Sequence, residues 1–395
     1  MKKDFPIFKN RPELIYFDNA ASAQKPQVVI DVMKEFDENH YSNIHRGPHF
    51  MADEATEAYE SARDTVGKFI GAKYSREIIF TRNATESINL VVKSYGELLE
   101  DGDEVVLSKM EHHANIVPWL QLKEKKNITL KYFDVSEDGE LIFDESLITN
   151  KTKIVAITGM SNVLGTIPDL KPIIKKVHEV GGKILVDACQ SVVHQKIDVQ
   201  EMDIDFLVFS AHKLYGPTGV GVLYGKEELL NNMPPFLGGG DMIQEVQMDK
   251  YTFTSIPNKF EAGTPNITGA IGLEAAIKYI ENIGFDKIQE HERELTEYLF
   301  ENLAKLPFIK IIGPKDTKGR GSVVSFLMDD VHPHDIAEGL SDKRICIRAG
   351  QHCAQVLMDH LQIPATARFS FGIYNTKEEI DKSIKVLEEV YKYFN

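Results

Sequence analysis

From Arg76 onward, runs rich in β-branched and aromatic residues alternate with stretches of helical period: EIIFT, EVVLS, TLKYFD, KIVAIT, KILVDA, IDFLVFS and VGVLY. Strands separated by helices demand a mostly parallel sheet covered on both faces, because each parallel connection must cross back over the sheet. One unit can be read directly. Between KIVAIT and KILVDA, Leu170, Ile173, Ile174 and Val177 recur at helical spacing, and Gly181 and Gly182 supply the stop. A second helix follows EIIFT in TESINLVVKSYGELL, with Thr85 as its N-cap and its N-terminus facing the strand ends.

The pattern changes after about Gly272. A long helical stretch, IGLEAAIKYIENIG followed by FDKIQEHERELTEYLFENLAKL, leads into short strands, SVVSFLM and RICIR. A final helix begins at Thr376, where Thr376 and Glu379 match the capping-box pattern. Strands and helices mixed in this way predict a smaller α+β domain. A chain of 395 residues also exceeds what one hydrophobic core normally serves. The expected division is a large domain over residues 16–275 and a small one built from residues 1–15 and 276–395. No repeat, low-complexity segment or Ser/Gly linker interrupts the chain, so the two are expected to pack closely.

Composition removes several classes of function. Sixty acidic against 45 basic residues give a formal net charge of -15, which repels phosphate backbones and anionic lipid surfaces. Neither nucleic acid nor a membrane is an expected partner. The opening MKKDFPIFKN has no apolar run behind it, and no later run approaches the length of a membrane span, so a cytoplasmic location is expected. The three cysteines, Cys189, Cys346 and Cys353, form no CxxC pair and are too few for a disulfide framework. If one matters, it acts singly.

The chemistry concentrates at strand ends. FSAHKLYGPTGVG, Phe209 to Gly221, places Lys213 between an apolar run and a glycine-rich turn, while KILVDA brings Asp187 to the end of another strand. Ligands of open α/β sheets bind beyond the carboxyl ends of strands. A lysine and an aspartate there fit one cofactor, pyridoxal 5'-phosphate: the amine forms a Schiff base with the aldehyde, and the carboxylate keeps the pyridine nitrogen protonated. Thr85 at a helix N-terminus, with Ser210 and His212 beside the lysine, offers a phosphate cradle. EHHANIVPW adds His112 and His113 after EVVLS, where a histidine would stack on the ring and shuttle protons, although two adjacent histidines equally suit a plain loop. No acid or thiol stands at ligand spacing to complete a zinc site, so no metal is expected.

The strings YFDNAA, NIHRG, ATESINLV, MEHHANIVPW, SNVLGT, VDACQS, FSAHKLYGPTGVGVLYG, GGGDMI, FEAGTPNI, RAGQHCA and YNTKEEID run from the first twenty residues to the last twenty. In that order they resemble the cysteine desulfurases of the class V aminotransferase group, specifically the group II branch with the SUF-type desulfurases and selenocysteine lyases. The resemblance implies a PLP-dependent transferase of fold type I and a homodimer whose active sites lie at the subunit interface. It makes Lys213 the Schiff-base lysine, Asp187 the partner of the pyridine nitrogen, Gln190 a donor to the ring hydroxyl oxygen and His112 the stacking histidine. Thr85, Ser210 and His212 would bind phosphate, with Thr264 reaching across from a second subunit. Asn162 and Arg368 would hold the substrate carboxylate, a task suited to the planar fork of arginine.

Cys353, in IRAGQHCAQ, separates the possible reactions. It follows a strand near Arg348 and His352, where positive charge favours a thiolate. An unpaired cysteine is ordinarily a small buried hydrophobe, the reading given to Cys189 and Cys346; at Cys353 the family motif points to a nucleophile. The implied reaction converts L-cysteine to L-alanine, with Lys213 removing the α-proton and Cys353 taking the sulfur as a persulfide, then passing it to an acceptor protein for iron-sulfur cluster assembly. Two departures bear on this expectation. Gln351 replaces the first histidine of the usual RxGHHCA, leaving His352 as the remaining base near the thiol, and Gly159 stands where a histidine is frequent. L-selenocysteine is therefore an alternative substrate, and a catalytically quiet scaffold in a sulfur-transfer complex is the alternative of another class.

Overall fold

In the computed structural model, which describes residues 1–395, a short first strand β1 (Ile15–Tyr16) precedes an eight-stranded sheet. That sheet contains β2 (Ile78–Thr81), β3 (Glu104–Ser108), β4 (Thr129–Val135), β5 (Leu141–Ile142), β6 (Thr152–Thr158), β7 (Lys183–Asp187), β8 (Phe206–Ser210) and β9 (Gly221–Gly225). Their spatial order is β2-β9-β8-β7-β6-β3-β4-β5. The five strands β8, β7, β6, β3 and β4 run parallel, whereas β9 is antiparallel to both its neighbours and β5 is antiparallel to β4. The sheet is thus mixed but mostly parallel, as the alternation demanded.

Strand β6 shows why the parallel strands read as continuous apolar runs. Ile154 and Ala156 pack beneath the helices Ala84–Ser94 and Val117–Lys123, while Val155 and Ile157 pack on the opposite face against Leu170–Glu179 and Ile267–Ile283. Both faces are covered, so the period-two pattern of side chains carries no polar phase. The Leu170–Glu179 helix buries the four residues that its spacing picks out. It ends where expected: Gly181 has φ 79° and the Gly182 N–H returns to the Val177 carbonyl.

One detail differs from the sequence reading. The N-cap of Ala84–Ser94 is Asn83, whose Oδ1 accepts the Glu86 N–H at 2.9 Å, and Thr85 lies inside the first turn. Both residue types suit a cap; Asn83 takes it, and β9 begins against its backbone. A Cβ on Gly221 would lie 2.3 Å from the Asn83 backbone, so only glycine lets the strand start there.

Beyond the main sheet, β10 (Ile243–Val246) and β11 (Tyr251–Phe253) form an exposed hairpin. A second, antiparallel sheet contains β12 (Ile309–Ile312), β13 (Val323–Met328), β15 (Arg348–Gly350) and β16 (Thr366–Ser370), ordered β12-β13-β16-β15. The RICIR segment is split: β14 (Ile345–Cys346) pairs in parallel with β1, and β15 then turns to β16. The helices Phe285–Leu303, Pro333–Asp342 and Lys377–Phe394 cover this sheet around Leu295, Phe326, Phe369 and Leu387. The last of them carries the capping box between Thr376 and Glu379. The segment after β1 crosses between the sheets: Ser370 N–H donates to the Phe17 carbonyl at 2.7 Å, and Asn19 Nδ2 donates to the Ser370 carbonyl at 2.7 Å. No helix is long and apolar enough to cross a membrane.

Candidate active site

The carboxyl ends of the parallel strands open onto a cavity of about 260 Å³. Its lining follows the ends of β3, β6, β7 and β8, the side on which open α/β sheets hold ligands. Lys213, Asp187, Gln190, His112, Thr85, Ser210, His212, Asn162 and Arg368 all line it, together with Asn83, Arg348 and His352. Nine residues from six separate segments of the chain therefore line one cavity. Two expected residues do not. Thr264 is exposed and lines a different cavity with Arg82, Gly219 and Asn266. Cys353 is half-buried just behind Arg348, with Arg348 Nη2 3.7 Å from its Sγ.

Each group is held from its strand. Asp187 ends β7 and accepts the Cys189 N–H at 3.0 Å. Lys213 closes a 3-10 turn, Ala211–Lys213, immediately after β8. Ser210 Oγ accepts the Ala84 N–H at 2.8 Å, fixing the start of the Ala84–Ser94 helix against β8. His112 Nδ1 accepts the Ala114 N–H at 3.1 Å, so a neutral ring carries its proton on Nε2. Gln190 Nε2 donates to the Ala20 carbonyl at 2.8 Å, and Asn162 Nδ2 donates to the His352 carbonyl at 2.7 Å. Those two amides therefore brace loops at the cavity edge.

The electrostatics are those of a site built for anions. Burial, then the Lys213 charge, pushes His112 down to about 4, and the same two causes push His212 down to about 4. Both rings are neutral at neutral pH. Arg368 Nη1 donates to the Asn162 carbonyl at 2.8 Å and Nη2 pairs with Asp18 Oδ1 at 3.1 Å, while its buried Nε has no partner. Burial lowers the guanidinium to about 10, with Arg348 adding to the effect and Asp18 opposing it. A cation desolvated in this way gains from an arriving carboxylate.

His352, the base that the altered cysteine loop left available, is a weak one where it stands. It is buried, its Nε2 lies 2.8 Å from Thr366 Oγ1, and burial with Arg368 and Arg348 nearby pushes it down to about 2. The group beside the thiol is Arg348. The Gly159 departure has a packing reason: a Cβ there would lie 2.5 Å from Ser191 Oγ, so that serine occupies the space a side chain would need. The other cysteines keep their plain reading, since burial pushes both Cys189 and Cys346 up, away from the thiolate.

Sequence reasoning missed Glu111. Its carboxyl is fully buried and receives Ser108 Oγ at 2.5 Å, Asn115 Nδ2 at 2.8 Å and the Thr158 N–H at 3.0 Å. Burial pushes it up to about 8 against those three donors. It ties the turn after β3 to the end of β6, and Thr158 is in turn the register partner of Asp187. The only sequence signal was an acid directly before the histidine pair.

A lysine after β8, an acid ending β7 and a helix N-terminus between them fit pyridoxal phosphate. The first turn of Ala84–Ser94 brings the positive end of its dipole to the cavity that Thr85, Ser210, His212 and Asp187 line. The class follows: the family model for class-V aminotransferases matches residues 15–382, and the chain belongs to this family of pyridoxal-phosphate enzymes. Within it, the relatives are cysteine desulfurases. Proteins named probable cysteine desulfurase from Staphylococcus epidermidis and Staphylococcus aureus are each 50% identical over 399 residues, spanning 100% of this chain and 96% of theirs. The crystal structure of an Escherichia coli cysteine desulfurase, an S-sulfonic acid form, superposes with TM-score 0.92 at 38% identity, covering 100% of this chain and 98% of the other. An apo cysteine desulfurase from Thermococcus onnurineus superposes with TM-score 0.94 at 41% identity over 99% and 97% of the two chains.

Proposed function

We propose that this chain is a cysteine desulfurase: it converts L-cysteine to L-alanine and keeps the sulfur as a persulfide on Cys353. The observation that carries the reading is the bridge made by Arg348, which lines the cavity with Lys213 while its Nη2 lies 3.7 Å from Cys353 Sγ. Bound pyridoxal phosphate supplies an electron sink for the carbanion left when the α-proton departs. The chain's own residues do the rest. Arg368 binds the substrate carboxylate, Lys213 moves the α-proton, neutral His112 offers its Nε2 proton, and Arg348 holds the Cys353 thiol beside the cavity. The Cys353 sulfur attacks the substrate sulfur. The carbon–sulfur bond breaks, a sulfur–sulfur bond forms, and the three-carbon product takes a proton to become alanine, so L-cysteine plus enzyme thiol give alanine plus enzyme persulfide.

The holding residues follow the same reading, with Asp187 at the pyridine nitrogen, Gln190 at the ring hydroxyl, and Thr85, Ser210 and His212 at the phosphate. Thr264 serves a second copy of the chain, a role supported by its exposure and by its place outside the chain's own cavity. Exposed Val246, Met248, Tyr251 and Phe253 on the adjacent hairpin support a homodimer. The group II assignment, a cytoplasmic location, a sulfur-acceptor partner for iron-sulfur cluster assembly and the division into a large domain over 16–275 and a small one over 1–15 and 276–395 belong to the same proposal. Selenocysteine is the alternative substrate, since selenium is the easier atom to release. The test compares sulfide and alanine release from cysteine and selenocysteine in wild type and Cys353→Ala. Loss with both supports the desulfurase reading; loss with cysteine alone points to a selenocysteine lyase, and a colourless protein after incubation with cofactor points to the scaffold.

A further inference from the structure

The turn that presents His112 also reaches the thiol loop. The His113 N–H donates to the Cys353 carbonyl at 2.7 Å, and the His113 ring accepts the Gln355 N–H on Nε2 at 2.9 Å. These two bonds bracket Ala354, so a single residue grips the chain on both sides of it. The grip has something to hold. His352 and Cys353 have φ 52° and 57°, two successive non-glycine residues in the left-handed region. Each such residue costs about 1–3 kcal/mol and persists only when its surroundings impose it.

The surroundings are identifiable. Asn162 holds the His352 carbonyl from the cavity side. On the far side, the helix Gln355–His360 begins, and the first N–H of any helix lacks an intrahelical acceptor. The His113 ring supplies one. For Nε2 to accept, the ring must be neutral with its proton on Nδ1, and burial lowers its basicity in that direction.

We propose that His113 is a positioning residue that clamps the Cys353 loop to the His112 turn, so that the sulfur-accepting thiol and the cofactor face of the site move as one unit. The proposal rests on Cys353 being the sulfur acceptor. Leucine at 113 keeps the bulk and removes the acceptor, whereas glutamine keeps an acceptor oxygen at comparable reach.

The experiment uses the pyridoxal-phosphate-loaded enzyme as wild type, His113→Leu, His113→Gln and Cys353→Ala, and measures hydrogen exchange at the Gln355 amide beside alanine formation from L-cysteine. In His113→Leu, exchange at Gln355 should speed up by about tenfold, as expected for one lost hydrogen bond. Its kcat should fall by about tenfold with KM changed less than about threefold, because substrate binding is untouched and only thiol placement is lost. His113→Gln should return both readings to within about threefold of wild type, a rescue that loss of packing alone would not give. Unchanged Gln355 exchange in His113→Leu overturns the clamp, as does a His113→Gln enzyme as impaired as the leucine variant. Full alanine formation by Cys353→Ala overturns the acceptor role on which the proposal rests, and does so without changing what the exchange measurement says of the clamp.

Discussion

Arg348 and Arg368 stand directly opposite one another across strands β15 and β16, two cations in register on one wall of the cavity. Like charges so placed repel. Asp18 offsets part of this by pairing with Arg368 at 3.1 Å, and burial pushes the Asp18 carboxyl up while both arginines hold it down. The wall is thus short of one negative charge, and a substrate carboxylate supplies it.

Replacing Arg368 by lysine keeps the charge and loses the fork. Arg368→Lys should raise KM for L-cysteine by about tenfold or more, the scale of one charge-assisted hydrogen bond, with the cofactor spectrum unchanged. Steady-state kinetics beside an absorbance spectrum of the loaded enzyme check this, and a variant of unchanged KM would remove Arg368 from substrate binding.

Glu111 should leave a mark on stability against pH. Its folded value of about 8 lies above the ordinary carboxyl value of about 4.3, so the folded state holds a proton that the unfolded state releases between those limits. The stability this proton confers is fully present below the unfolded value and is lost as pH rises through the folded one. Glu111→Gln cannot titrate. The difference in unfolding free energy between wild type and variant should therefore fall by a few kcal/mol between about pH 4 and 8 and be flat above that range. Urea melts of both proteins across this range provide the measurement.

The packing of Gly159 on Ser191 predicts a coupled pair. Gly159→Ala should cost about 1–3 kcal/mol by overpacking. Ser191→Ala should be close to neutral or stabilising, because its buried hydroxyl has no hydrogen-bond partner. The double variant should recover most of the loss, since the first clash, 2.5 Å to Oγ, disappears and the next approach is 3.2 Å to Cβ. Additive effects in a double-mutant cycle would contradict this account.

Thiol reactivity should separate the three cysteines. Cys353 is half-buried beside Arg348, whereas burial holds Cys189 and Cys346 towards the protonated form. Iodoacetamide should modify Cys353 first, and Arg348→Met should slow that reaction by about threefold to tenfold while leaving the other two unchanged. Peptide mass spectrometry over a time course reads all three at once.

The large sheet was legible because its strands are buried on both faces and its helices have strong period, so Ile154 to Ile157 and Leu170 to Val177 each point to one structure. Most of the cavity was legible because its residues sit at strand ends, where Asp187, Ser210 and His112 follow directly from the strand boundary. What escaped depends on contacts between distant segments. Nothing near Asn83 marks it over Thr85 as the cap, because the start of the helix is held by Ser210, more than a hundred residues away. The division of RICIR into two strands is set by β1 at the other end of the chain. His352 looks like a base in its own loop, and only its burial against Thr366 and Arg368 shows how weak a base it is. Glu111 is an ordinary acid until Thr158 and Asn115 close over it.

The measurement that bears most directly on the central claim is a single exposure of the loaded enzyme to L-cysteine without reductant, followed by peptide mass analysis and alanine quantification. The account predicts one added sulfur on the peptide carrying Cys353, alanine in equal amount, and neither in Cys353→Ala. Alanine formed at the wild-type level by Cys353→Ala, or sulfur found on Cys189 or Cys346 in place of Cys353, would contradict it.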